Sequence, residues 1–333
     1  MATMRVAATD VSHVLPDVAA ACKVIAPYVW RTPLLHSAGL SRRTVGQVHL
    51  KLECWQRTGS FKIRGALHKL AALSDDEWGR GIVTASAGNH GLGVAYACQA
   101  LGRPPATIFV PEGAPAAKVD HLKGFDCQVR RAGADYDAAH AIAEAYAQER
   151  GAIYVSAYDD AVVIAGQGTV GLEVMEDLPG ADLLLVPVGG GGLIAGMALV
   201  AKAINPAVRV VGVQPEASPA AYLSLRDGRP YETYPAAPTI CDGLAGGFGR
   251  VPFELAGDQI DEILVVPEAA VRRAVRWLLA EEQLVVEGAG AIAVAPLLTG
   301  QLDTGSHNIV AVLTGRNVDA TLLHQILGED TDP

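Results

Sequence analysis

One lysine, Lys62, stands between Phe61 and Ile63 in the run TGSFKIRGA, Thr58 to Ala66. Taken alone, it reads as a lysine whose stem lies along an apolar surface while its charge reaches water. Among small and apolar neighbours, however, an amine loses affinity for its proton and becomes a nucleophile toward a carbonyl carbon. Two other runs supply what that chemistry needs. Gly189, Gly190, Gly191 and Gly192 follow an apolar stretch and open a helix pattern. Consecutive glycines let N–H groups converge at a helix N-terminus, which suits a phosphate; the alternative is a plain tight turn. The run SAGNHG, Ser86 to Gly91, also links a strand pattern to a helix start. Its small residues Ser86, Ala87 and Gly88 expose N–H groups to a carboxylate, and Asn89 and His90 add polar reach. His90 reads equally well as a packed core histidine.

A nucleophilic lysine, a phosphate cradle and a carboxylate nest suit a cofactor that carries both an aldehyde and a phosphate, pyridoxal 5'-phosphate (PLP). A rival pattern exists. Gly190, Gly192 and Ala195 satisfy G-x-G-x-x-G/A, and Glu216 lies where a ribose-binding acid belongs, so a nicotinamide-dinucleotide-binding protein is the alternative from another class. That pattern leaves TGSFKIRGA and SAGNHG without a role. A catalytically silent amino-acid binder is a further alternative, which the retention of Lys62 disfavours.

The elements that would carry these residues alternate. Strand patterns VHLKLE, GIVTAS, ATIFVP, CQVRRAG and AIYVS are interleaved with helix patterns KIRGALHKLAAL, GNHGLGVAYACQALG, APAAKVDHLKGF and YDAAHAIAEAYAQERG. LLLVPV, VRVVGV and HNIVAVLTG add strands in the second half. Alternation of this kind implies an α/β protein with parallel sheets covered by helices. The 333 residues suffice for two domains, yet no Pro/Ser-rich seam separates them. An inserted domain explains the missing seam: residues 71–154 as a small α/β unit within a large cofactor-binding domain made of 1–70 and 155–333.

Composition narrows the partners. Half the residues are apolar, and net charge is −10 with no basic tract, a poor match for nucleic acid or an anionic membrane. Arg272, Arg273 and Arg276 read as the solvated face of an amphipathic helix. Leu183 to Ala201 carries no charge and is long enough to be mistaken for a membrane span, but Pro187 and four glycines break it, so it reads as strand, turn and helix. Five cysteines without a CxxC pair argue against a disulfide framework or zinc site and for a reducing compartment, the cytoplasm. The N-terminus lacks a signal-peptide pattern.

TGSFKIRGA, SAGNHG, GGGGLIAG, VVEGAGAIAVA and VLTGRNVD occur in that order. Together they resemble the fold type II PLP enzymes, in particular the catabolic threonine/serine dehydratases and their serine racemase relatives, over about residues 20 to 327. The resemblance implies a tryptophan synthase β-like architecture: two domains with parallel-rich twisted sheets flanked by helices, and the cofactor in the cleft between them. It makes Lys62 the Schiff-base lysine and catalytic base. Phe61 becomes the residue packed on the cofactor ring, and Asn89 the partner of the ring hydroxyl. Gly189, Gly190, Gly191 and Gly192 become the phosphate loop, and Thr314 the residue facing the pyridine nitrogen. Ser86, Ala87, Gly88 and His90 fall in the substrate-carboxylate loop. Glu287 matches an acidic residue near the site with no assigned role. The implied reaction is β-elimination of water from a small L-hydroxyamino acid, threonine or serine, to a 2-oxo acid and ammonia. Hydroxyaspartate and phenylserine stay open as substrates, and a homodimer is implied as the assembly.

Four departures from that pattern matter. Thr314 stands where Ser or Cys is commoner, which keeps the hydroxyl. Arg316 stands where a small residue is common, without explanation. Ala87 replaces the hydroxyl that serves racemases as the acid/base opposite the lysine, so a racemase is the second alternative and elimination the expectation. Gln214 and Ala220 occupy places where metal-binding relatives carry acids, leaving only Glu216, so no divalent metal is expected. The chain also ends without the effector-binding extension of the biosynthetic dehydratases, which implies catabolic duty without isoleucine feedback.

Overall fold

An unbroken apolar run such as Leu183 to Pro187 makes a stable strand only if both its faces are covered. The computed structural model, which describes residues 14–114, 116–305 and 307–329, supplies that cover. Among these residues the strands are β1 (Leu34–His36), β2 (Gln47–Lys51), β3 (Ile82–Ala85), β4 (Thr107–Val110), β5 (Gln128–Arg131), β6 (Ile153–Tyr154), β7 (Leu183–Pro187), β8 (Arg209–Pro215), β9 (Glu262–Val266) and β10 (Asn308–Val312). They form a six-stranded sheet, β1-β2-β10-β7-β8-β9, and a four-stranded sheet, β5-β4-β3-β6. Every pairing is parallel except β1 on β2.

The larger sheet is buried on both faces. Leu183, Leu185, Val211, Val213, Ile309 and Ala311 face one apolar cluster. Leu184, Val186, Val210, Val310 and Val312 face the other. Each such side chain contributes about 1.5–3 kcal/mol on burial. This is why alternation of polar and apolar residues is missing from these strands. Under the smaller sheet, Ile82, Ile108, Val110 and Val155 share a cluster with Ile25, Ile63, Ala66, Leu67 and Leu70, so that core draws on side chains from ahead of residue 71.

The segment Leu183 to Ala201 resolves into β7, the glycine turn and the helix Gly192–Ile204. Among the described residues, no helix is long and apolar enough to cross a membrane.

Three elements carried little sequence signal. β1 has three residues, too few for a period. β9 begins a short apolar run at Glu262. The helix Ala161–Asp177 contains Gly166, Gly168 and Gly171 and is buried nearly all round, so it has neither strong propensity nor a polar face. Those glycines are contact points. A Cβ on Gly166 would lie 2.7 Å from the Gly65 Cα, and one on Gly196 would lie 2.6 Å from the Gly168 nitrogen.

The reading of the arginine face needs correction. Arg273 is exposed, but Arg276 Nη1 pairs with Glu329 Oε2 at 2.9 Å and Arg272 pairs with the same carboxylate. The last described helix, Ala320–Gly328, folds back across Glu268–Glu282 and brings that carboxylate over.

Candidate active site

In parallel α/β sheets, the loops leaving the C-terminal ends of the strands form the working surface. β3 leads into Ser86–Gly91, β6 into Ala157 and Tyr158, β7 into the glycine turn, and β10 into Thr314. Both sheets therefore contribute loops carrying the residues that stand out in the sequence.

Lys62 is the first residue of the helix Lys62–Ala71. Its Nζ donates to the Ala157 carbonyl at 3.0 Å and lies 5.2 Å from the centre of the Phe61 ring. The side chain retains some surface exposure, while desolvation of the amine pushes its pKa down to about 8. Among the described residues, no carboxylate offsets that desolvation. Phe61 packs against the apolar cluster that lines one face of the large sheet.

The residue after Ala157 roofs the glycine turn. A Cβ on Gly190 would lie 2.3 Å from the Tyr158 ring, and one on Gly192 would lie 3.1 Å from the Tyr158 Cα. Gly191 adopts a φ of +97°, which β-carbon-bearing residues rarely tolerate, and no side chain caps the helix it precedes. Only glycine lets this backbone pass under Tyr158. The uncapped helix N-terminus that results suits a phosphate-sized anion. Lys62 and the cradle are joined through two consecutive residues, Ala157 holding the amine and Tyr158 covering the turn.

The nest is tight. Gly88 N–H donates to Ser86 Oγ at 3.1 Å, and Gly88 precedes the helix Asn89–Ala100 without a side-chain cap. Ala87 packs its methyl against the cluster under the small sheet. His90 is 3% exposed, with Nε2 at 3.0 Å from the Val155 carbonyl and Nδ1 unpartnered. Desolvation, aided by the Lys62 charge, lowers its pKa to about 3. Its imidazole is thus a neutral core group, and what it offers the nest is its backbone.

Asn89 heads a polar chain across the site. Its Nδ2 donates to Glu287 Oε1 at 2.6 Å, and its Oδ1 accepts from Asn317 Nδ2 at 2.6 Å. Asn317 also donates to the Thr58 carbonyl at 2.8 Å. Glu287 precedes the short helix Gly288–Ala291, and its N–H donates to the Gly315 carbonyl. Gly315 has no room for a Cβ, which would meet Glu287 Oε1. Thr314 is 4% exposed, its carbonyl accepts from the Phe61 N–H, and its Oγ1 reaches the Ala289 carbonyl at 3.3 Å. The side chain of Arg316 is exposed and lines a groove with Trp30 and Trp55. Gln214, standing where an acid would serve a metal, binds backbone instead: the Val188 carbonyl at 3.2 Å and the Tyr222 N–H at 3.0 Å.

Sequence reasoning missed Ala157, Tyr158 and Asn317. Asn317 lies within the motif VLTGRNVD, and its amide was the available signal. Ala157 and Tyr158 lie three and four residues beyond β6, and their place past the C-terminal end of a parallel strand was the available signal.

The donor set fits PLP. Lys62 would meet the aldehyde carbon, Gly189–Gly192 would hold the phosphate beneath Tyr158, and Asn89 and Thr314 would flank the ring.

A family model described as pyridoxal-phosphate dependent enzyme matches residues 25–315. The L-threonine ammonia-lyase of Thermotoga maritima is 43% identical over 316 residues, 95% of this chain and 78% of that protein. The catabolic L-threonine dehydratase TdcB of Escherichia coli K12 is 39% identical over 322 residues, 96% of this chain and 97% of that protein. Among solved structures, maize serine racemase superposes with a TM-score of 0.88 at 35% identity, covering 93% of this chain and 95% of that one. The shared family, read beside the lysine, the glycine cradle and the nest, gives this protein its class: it belongs to the pyridoxal-phosphate dependent enzymes.

Proposed function

We propose that this enzyme deaminates L-threonine, and L-serine as a second substrate, by β-elimination. The observation that carries the proposal is the desolvated amine of Lys62, its pKa lowered to about 8, held at the Ala157 carbonyl beside the glycine cradle. The dehydratase names of the related proteins from Thermotoga and Escherichia coli support the substrate.

PLP, when bound, supplies an electrophilic carbon for the substrate amine and a ring that draws electrons from the α-carbon. The chain does the rest. N–H groups of Ser86–Gly91 hold the substrate carboxylate and fix which face the α-hydrogen presents. Lys62 Nζ, whose burial lowers its pKa to about 8, accepts that hydrogen as a proton in its neutral form. The Ala157 carbonyl aims the amine without taking its lone pair. Glycine N–H groups would hold the phosphate, and Asn89, braced by Glu287 and Asn317, would present a fixed amide to the ring. Loss of the β-hydroxyl expels water, and hydrolysis returns water to release ammonia and the 2-oxo acid. On the opposite face Ala87 has no proton to give, so racemisation is weak.

The same proposal keeps residues 71–154 as the small inserted unit, with 1–70 and 155–333 as the larger one. It assigns a cytoplasmic homodimer with no divalent-metal requirement and no nucleic-acid or membrane partner. Exposed Trp30 and Trp55 support a second copy as cover for that face.

The test is 2-oxo acid and ammonia release from L-threonine, L-serine, 3-hydroxyaspartate and phenylserine, with D-serine assayed beside pyruvate. L-Threonine and L-serine are expected to lead. Turnover confined to another hydroxyamino acid overturns the substrate, and D-serine formed as fast as pyruvate overturns the role of Ala87.

A further inference from the structure

Arg64, two residues beyond Lys62, is completely buried, and its charge is fully engaged. Its Nε and Nη2 donate to Glu53 at 2.8 and 2.7 Å. Its Nη1 and Nη2 donate to Glu173 at 2.7 and 3.0 Å. Lys51, also buried, donates to Glu173 at 2.6 Å and to the Thr32 carbonyl at 2.8 Å. Thr32 and Thr169 complete the set through Glu53 and Arg64. Two cations thus meet two carboxylates with no net charge. Such a cluster is a poor source of stability, because desolvation offsets much of the attraction. Its value lies in geometry: a guanidinium fork between two carboxylates tolerates little rotation or sliding.

We propose that the Arg64–Glu173 pair is a clamp that positions Lys62 against the Ala157 carbonyl.

The helix Lys62–Ala71 carries the amine, and the helix Ala161–Asp177 begins three residues after Tyr158. The two helices touch where Gly65 meets Gly166, and Gly65 N–H donates to Gln167 Oε1 at 3.3 Å. A glycine contact sets how closely helices approach but leaves them free to slide. At the start of Ala161–Asp177, His68 Nδ1 meets the Val162 carbonyl at 2.8 Å and Lys69 pairs with Asp160 at 2.6 Å; the Arg64–Glu173 fork fixes the register further along, in the buried interior. Glu53 pins the same arginine from the segment that follows β2. Sliding of one helix along the other would separate Lys62 from Ala157 and shift Tyr158 over the cradle. Arg64 and Glu173 touch no reacting atom and are positioning residues.

This inference rests on Lys62 being the cofactor lysine, and its test is read on the cofactor-free protein. The variant Lys51→Met/Glu173→Met removes one charge of each sign, leaves Arg64 its bonds to Glu53, and replaces ions by apolar groups of similar length. The pH dependence of Lys62 acetylation, mapped by mass spectrometry, reports how the amine is held. The clamp predicts that the apparent pKa of Lys62 rises from about 8 by ~1 unit or more toward the free-lysine value, as the amine gains solvent. It also predicts a kcat/KM at least ~10-fold lower with a melting temperature within a few degrees of the parent. An unchanged Lys62 pKa overturns the clamp, whatever the melting temperature does. Arg64→Lys, which keeps the charge but loses the fork, repeats the measurement should the double variant not fold, with the same two outcomes. Failure of borohydride to fix PLP on Lys62 sinks the premise instead and leaves the acetylation result standing as a statement about helix packing.

Discussion

Asn89 and Glu287 meet at 2.6 Å across 198 residues of chain, tying the start of one helix to the start of another. The contact fixes the amide of Asn89, the residue proposed to meet the cofactor ring, against a buried carboxylate. Asn89→Ala removes that donor. The cofactor-free protein should lose about 1–3 kcal/mol by denaturant titration. Half-saturation by PLP should need about tenfold more cofactor for each 1.4 kcal/mol by which binding of the ring weakens. A variant matching the parent in both respects contradicts the assignment.

Gly190→Ala tests the cradle. The added methyl would fall 2.3 Å from the Tyr158 ring, so the loop or the ring must move. Overpacking of this kind costs about 1–3 kcal/mol. Spectral titration with PLP should show at least ~10-fold weaker binding. Adding Tyr158→Ala should restore part of the affinity, because the two changes share one contact. Independent, additive effects would remove Tyr158 from the cradle.

His90 predicts acid sensitivity. Its folded pKa lies near 3, against about 6.5 when unfolded. Between those values the unfolded chain binds the extra proton, so this contribution is present in full above pH 6.5 and is lost as pH falls toward 3. His90→Phe should flatten that part of the stability–pH curve while lowering the plateau by about 0.5–1.5 kcal/mol, since the Val155 carbonyl loses one of its two donors and keeps the Thr84 hydroxyl at 2.8 Å. A parallel curve would place the titrating group elsewhere.

Lys62 predicts the opposite window. Its folded pKa is depressed to about 8 from 10.5, so the cofactor-free chain carries a penalty below pH 8 that disappears as pH rises through 10.5. The rate of PLP capture should follow the neutral amine. It should rise about tenfold from pH 7 to pH 9 and level off beyond, as for a group titrating near 8. A rate still climbing in proportion to hydroxide at pH 10 would describe an ordinary, solvated lysine.

Much of the fold was legible because it is written locally. Gly189 to Gly192 sit in one run, and β7 and the helix after it are visible as apolar stretches on either side. Lys62 and Phe61 are neighbours, so one motif holds the amine and the ring contact. What escaped is written across distance. Glu173 stands 109 positions from Arg64, and only the folded packing of two helices joins them. Tyr158 became a site residue because the glycine turn passes beneath its ring. The ring of His90, read equally as nest or core, turned inward, where its Nε2 joins the Thr84 hydroxyl on the Val155 carbonyl.

The most direct measurement is reduction of the PLP-treated protein with borohydride, followed by peptide mapping. A yellow protein is expected to lose its colour and carry one phosphopyridoxyl group on Lys62, in the peptide spanning TGSFKIRGA. Lys62→Ala should take up no label there and release no 2-oxo acid from L-threonine. A label on any other lysine, or a Lys62→Ala variant that still turns over L-threonine, would contradict the account.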